Sequence, residues 1–141
     1  MQPPSMQEMH KEATRRLFEY RQSAAYLRAE ENPDSPAAKR RALIGASEPL
    51  SAEEKARLRA WKRVIEKVQR YYAEADPEME RFMVRYFALR TPINRRMAKR
   101  ARHFAIMAEF NVSDSTVYKW KMKIVETTVL FAAQERRGRL F

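Results

Sequence analysis

Apolar residues recur at steps of three and four along almost the whole of this 141-residue chain, and nowhere do they alternate strictly between turn dipeptides. The first spacing marks one buried face of an α-helix and the second a half-buried strand. The expected fold is therefore all-α, a small helical bundle with a long N-terminal helix. The length suits one domain, or a small core with an appended arm. Gly45 and Gly138 are the two glycines and cysteine is absent. That removes the glycine-rich loops that cradle nucleotide phosphates, together with disulfides and thiolate metal sites.

Cap residues divide the pattern into segments. Ser5 is expected to cap a first helix over about 5–31, with Met9, Ala13, Leu17, Tyr20, Ala24 and Leu27 on one stripe. The run Asn32-Pro33-Asp34-Ser35-Pro36 ends it. Residues 32–50 then read as a linker, with Lys39-Arg40-Arg41 a solvated charge run or a phosphate contact, so that 1–50 precedes a helical core over 51–141. Ser51 and Glu54 form a capping box. The helix they open carries Leu58, Trp61, Ile65, Val68 and Tyr72 in a heptad-like seam, and the spacing lets either Tyr71 or Tyr72 belong to the core. Asp76-Pro77 is a further cap with proline in the first turn. It precedes an apolar face of Met79, Phe82, Met83, Tyr86 and Phe87, in a helix expected to end near Arg90. Thr91-Pro92 repeats that signal and predicts another helix whose inward face is Ile93, Met97, Ala101, Phe104 and Ala108.

Residues 105–120 carry the spacing of a helix-turn-helix, the motif being expected over about 94–135. Ile106, Met107 and Phe110 form the inward face of its first helix, and Val112 fills the turn. Asn111 stands where the chain reverses with positive φ, a position that suits asparagine next after glycine. Ser113 is an N-cap for the second helix, and Val117, Trp120 and Ile124 continue the buried face. An advance of about 100° per residue then points Ser115, Tyr118, Lys119 and Met122 outward. In the DNA-binding form of this motif such positions meet base edges. Two packed helices joined by a short polar turn have similar spacing without any DNA partner.

Charge favours the first of these readings. The net charge is +11, and residues 91–141 hold eleven basic against four acidic side chains. Arg95, Arg96, Lys99, Arg100 and Arg102 crowd one short stretch, with Lys121 and Lys123 on the second helix. These seven are the expected phosphate contacts, since a phosphate backbone relieves their mutual repulsion. His10 and His103 have no acidic or cysteine partner at a metal-binding spacing. His103 reads as a surface or phosphate-facing residue, no metal or cofactor is expected, and the chain is not expected to be an enzyme. No apolar run suits a membrane span and Met1-Gln2-Pro3-Pro4 has no signal-peptide pattern. The expectation is a soluble cytoplasmic protein.

The order of these elements resembles a known family. The segments concerned are Arg16-Leu17-Phe18-Glu19-Tyr20, Val64-Ile65-Glu66-Lys67-Val68, Asp76-Pro77-Glu78, Arg85-Tyr86-Phe87, and Asn111-Val112-Ser113 through Thr116-Val117-Tyr118-Lys119-Trp120. Together, over roughly residues 12–135, they resemble the RinA and ArpU-like regulators of phages and prophages, whose C-terminal part is similar to region 4 of sigma factors. The resemblance implies a sequence-specific activator of late phage genes, working at a promoter on double-stranded DNA with bacterial RNA polymerase. Its base-reading positions fall on Ser113, Ser115, Thr116, Tyr118 and Lys119. A homodimer is a further expected partner state. Two departures from the family are the long basic segment from Thr91 to Phe104 and Met107 in place of a small residue. The alternatives are a phage small terminase subunit that recognises a packaging site and a helical protein-interaction module without specific nucleic-acid binding.

Overall fold

The computed structural model describes residues 3–32, 34, 36, 50–92, 96–135 and 140–141. Among them are five helices and no strand: α1 (Met6–Glu31), α2 (Ala52–Ala75), α3 (Pro77–Tyr86), α4 (Lys99–Phe110) and α5 (Asp114–Gln134). The fold is all-α, with a long N-terminal helix. Most of the linker expected over 32–50, with Lys39, Arg40 and Arg41, lies outside the described residues, as do Ile93, Asn94, Arg95 and the basic run 136–139.

Three helix starts follow their cap residues. The Ser5, Ser51 and Asp76 side chains accept from the backbone N–H groups of Glu8, Glu54 and Met79, at 3.1, 3.1 and 3.3 Å. These bonds satisfy amides that the first helical turn leaves without partners. Asp76 also closes α2, its own N–H reaching the Tyr72 carbonyl at 2.7 Å. One residue thus ends one helix and begins the next, holding α2 and α3 at a fixed corner.

Helix α1 packs on the bundle, against α2 and α5. Ala13 and Leu17 are fully buried in the core, and Phe18 meets the Phe87 ring edge-on at 4.9 Å. The Tyr20 hydroxyl donates to Glu66 at 2.7 Å. Burial, and then the Glu66 carboxylate, push the Tyr20 phenol well above its ordinary range. From α2 the core receives Ala60, Trp61, Val64, Ile65, Val68 and Tyr72, while Leu58 is half-buried. Tyr72 is the inward member of the tyrosine pair, its hydroxyl 2.6 Å from Thr127 on α5, and Tyr71 is 48% exposed. At the far end of the chain Leu140 is buried and Phe141 sets its ring against Trp61 at 5.6 Å, so this end joins the core.

Helix α3 ends at Tyr86, four residues before the expected stop near Arg90. Ala88 adopts φ 52°. The Leu89 N–H reaches the Val84 carbonyl at 3.1 Å and the Ala88 N–H reaches the Arg85 carbonyl at 3.3 Å. This is a Schellman closure with alanine where glycine is usual. It lets Phe87 and Leu89, at 0% and 3% exposure, both enter the core. A Cβ in the left-handed region costs about 1–2 kcal/mol, while glycine in the unfolded chain loses about 0.4–1 kcal/mol more entropy on folding. Ala88→Gly is therefore expected to raise stability by up to about 1.6 kcal/mol, read as a higher urea midpoint at unchanged slope. A lower midpoint would contradict this backbone geometry.

Helix α4 begins at Lys99, not at Pro92. Thr91 and Pro92 lie outside any helix, and Ala98 caps α4 without a side-chain hydrogen bond. The Thr91-Pro92 signal thus starts no helix among the described residues, and α4 opens on Lys99, Arg100 and Arg102. The inward stripe expected on this segment is also corrected. Met97, Ala101, Phe104 and Ala108 are exposed, and the half-buried positions are Arg102, His103, Ile106, Met107 and Phe110. Ile106, Met107 and Phe110 offer more apolar area than a face largely of alanines, and that larger area decides which side turns inward.

Candidate functional site

Helices α4 and α5 are joined through Asn111, Val112 and Ser113. Asn111 has φ 52° and ψ 52°. The Val112 N–H reaches the Met107 carbonyl at 3.0 Å and the Asn111 N–H reaches the Ala108 carbonyl at 3.3 Å, a second Schellman closure, here on the residue type that tolerates it best after glycine. Ser113 caps α5 by accepting from the Thr116 N–H at 3.3 Å. Its Oγ also lies 3.1 Å from the Ser115 hydroxyl and 3.0 Å from that of Thr116. The three hydroxyls thus form one small network around the first turn of α5.

The inward side of this hairpin follows the expected set. Val117 and Ile124 are fully buried, and Ile106, Met107, Phe110, Val112 and Trp120 are half-buried against the core. Phe82 of α3 is the hub. It meets Phe110 at 5.5 Å and Trp120 at 5.3 Å, both edge-on, and stacks on Tyr86 at 5.3 Å. No residue of α4 is fully buried, so the helix is held chiefly by this aromatic cluster. An exposed ion pair adds to it, the Arg85 Nε donating to both Glu109 carboxylate oxygens at 3.1 and 3.0 Å.

The outward side sorts the expected base-reading residues. Ser115, Lys119 and Tyr118 are exposed, Tyr118 at 62%. Ser113 is exposed but its oxygen serves the cap, Thr116 is half-buried with its hydroxyl on Ser113, and Met122, expected to face outward, is half-buried on the flank of α5. Among the expected phosphate contacts Arg96, Lys99, Arg100 and Lys123 are exposed, and Arg102 and Lys121 are half-buried. Arg95 lies outside the described residues. The Arg100 guanidinium sits over the Phe104 ring, 5.8 Å from its centroid, a cation–π contact that holds the arginine extended along the α4 surface.

One member of the site had no signal in the spacing. His103 of α4 joins its Nε2 to the Asp114 carboxylate at the first residue of α5, across eleven positions of sequence. Asp114 thereby lies between the positive end of the α5 dipole and the imidazole, and His103 serves as a clasp between the two helices. Beside this pair Tyr86, Ser115, Tyr118 and Lys121 line a shallow cleft of about 490 Å³. Among the described residues no group of histidines and carboxylates is arranged to hold a metal ion, and no helix is long and apolar enough to cross a membrane.

Carboxylate pairing is denser on α2 and α3 than on this face. There Lys55, Arg57, Lys62, Arg63, Lys67, Arg81 and Arg85 each have a carboxylate within 4 Å, while Arg59 and Arg70 have none among the described residues. Among the described residues Lys99, Arg100, Arg102, Lys119, Lys121 and Lys123 have none; Glu109 and Asp114 pair with Arg85 and His103, and Glu126 makes no ion pair with these cations. No family model, curated protein or solved structure matches this chain.

Proposed function

We propose that the α4–α5 hairpin is a double-stranded-DNA-binding unit and that the protein is a sequence-specific transcriptional regulator. In this reading the first turns of α5 enter the major groove and present Ser115, Tyr118 and Lys119 to base edges. Lys99, Arg100, Arg102, Lys121 and Lys123 lie against the flanking phosphates. The observation that carries the reading is the set of cations without carboxylate partners on the two helices that also expose those three side chains. A basic surface whose cations are neutralised within the protein has little to offer a phosphate, and this one is not neutralised. The likeness in element order to phage late regulators extends the proposal to an activator acting with RNA polymerase in a bacterial cytoplasm, without catalysis or cofactor.

The test is binding of labelled duplexes by fluorescence anisotropy across a salt series. Each phosphate neutralised adds about 0.9 to the slope of log affinity against log salt. Arg100→Ala and Lys123→Ala are each expected to flatten the slope by about one and to weaken binding to all duplexes alike. An unchanged slope in both variants would remove these residues from the interface.

A further inference from the structure

The side of the molecule formed by α2 and the C-terminal half of α5 carries an apolar patch that nothing among the described residues covers. Leu130 is 62% exposed and Tyr71 is 48% exposed. Phe131, half-buried, joins them, its ring edge-on to Tyr71 at 5.9 Å. Tyr71 is braced from behind by Tyr72 at 5.1 Å, so the patch is a fixed aromatic surface. Large exposed apolar residues that adjoin one another, as opposed to scattered single ones, mark contact surfaces.

The charges around this patch indicate what covers it. On α2 the stripe through Tyr71 runs Lys67, Tyr71, Glu74, at steps of four and three, and on α5 the stripe through Leu130 runs Lys123, Glu126, Thr127, Leu130. Lys67 approaches Glu135 at 3.8 Å and Tyr71 meets Phe131, which brings α2 beside the C-terminal half of α5. The exposed rim therefore carries both signs, Lys67 against Glu74 and Glu126, on a chain whose net charge is +11. A strongly basic molecule meets a copy of itself without repulsion where both signs are present. A two-fold contact needs a surface that complements itself, each cation facing the partner's carboxylate and the apolar centres meeting on the axis. The α4 face, with Met97 and Phe104 exposed, offers the same apolar content but an overwhelmingly basic border, and two copies would repel there.

We infer that the Tyr71–Leu130 patch is a homodimer interface, formed about a two-fold axis passing near Leu130. The proposal stands independently of DNA binding. Where the DNA reading also holds, it gives the dimer two reading ends. Ser115 and Leu130 are fifteen residues apart on one helix, a rise of about 22 Å. The two reading ends can then lie up to about 45 Å apart, which accommodates half-sites one helical turn apart at about 34 Å.

Sedimentation velocity of the full chain without DNA, over a concentration series, tests the interface. Such a compact patch is expected to give a concentration-dependent shift from the 16.8 kDa monomer to a dimer at micromolar concentrations. Leu130→Lys is expected to abolish the shift. Glu126→Lys, which makes the rim basic, is expected to weaken dimerisation in low salt and to regain much of it as salt screens the repulsion. Both substituted side chains are exposed, and circular dichroism verifies that the variants stay folded. A monomer at every concentration, a dimer unaffected by Leu130→Lys, or a ring-sized assembly would overturn the proposal. Because DNA is absent, none of these results is affected by failure of the DNA reading.

Discussion

Phe82→Ala is expected to destabilise the protein by about 3–5 kcal/mol, the range for removing a buried phenyl ring. Phe82 is fully buried and its ring touches Tyr86, Phe110 and Trp120, so one side chain joins α3 to both helices of the candidate site. The loss is a large share of the roughly 5–15 kcal/mol by which domains are stable. It falls unevenly. Helix α4 has no fully buried residue of its own, and the Arg85–Glu109 pair, being exposed, is worth only about 0–1 kcal/mol. Without Phe82, α4 should release before the bundle melts, so its amides lose hydrogen-exchange protection ahead of those of α2. Phe104→Ala on the exposed face of α4 is the comparison, expected to change stability by no more than about 0.5 kcal/mol. A cost below about 1 kcal/mol for Phe82→Ala would contradict the hub role.

Lys119→Ala is expected to narrow the gap between the best duplex and unrelated duplexes by about 1–3 kcal/mol, the worth of a good base-edge contact. In affinity this is roughly 5- to 150-fold. Lys119 is exposed on α5, nearly two turns beyond the Ser113 cap, and has no carboxylate partner among the described residues. Its loss should leave folding intact, so the thermal midpoint serves as the control. Arg100→Ala provides the contrast, lowering affinity for every duplex while the ratio between duplexes stays constant. If Lys119→Ala also lowered all affinities equally, the lysine would be a phosphate contact and base reading would move to Ser115 and Tyr118.

The elements legible in the sequence are those with a strong local cause. Ser5, Ser51, Asp76 and Ser113 start helices because their side-chain oxygens meet amides within the next turn. Asn111 ends α4 with positive φ because its residue type tolerates the left-handed region. Tyr72 could be separated from Tyr71 only by carrying the Ile65 and Val68 seam one turn further, where Tyr72 stays in phase. The turn at Ala88 is illegible for the opposite reason. Alanine carries no preference for positive φ, and the pull on Phe87 and Leu89 into the core, a tertiary effect, stops α3 there. The inward face of α4 is not legible because apolar spacing identifies two sides of a helix rich in alanine, and only the contacts of Phe110 and Ile106 choose between them. The His103–Asp114 clasp depends on how two helices are brought together, and no spacing along either helix encodes it.

Selection of bound duplexes from a random DNA pool by the full-length chain at physiological salt tests the central claim most directly. The account predicts that one sequence motif is enriched, and that Lys119→Ala relaxes the preference at one of its positions while Arg100→Ala leaves the motif unchanged. Recovery of no preferred sequence, with binding that disappears as salt rises, would contradict a sequence-reading role for α5 and leave its cations as a non-specific basic surface.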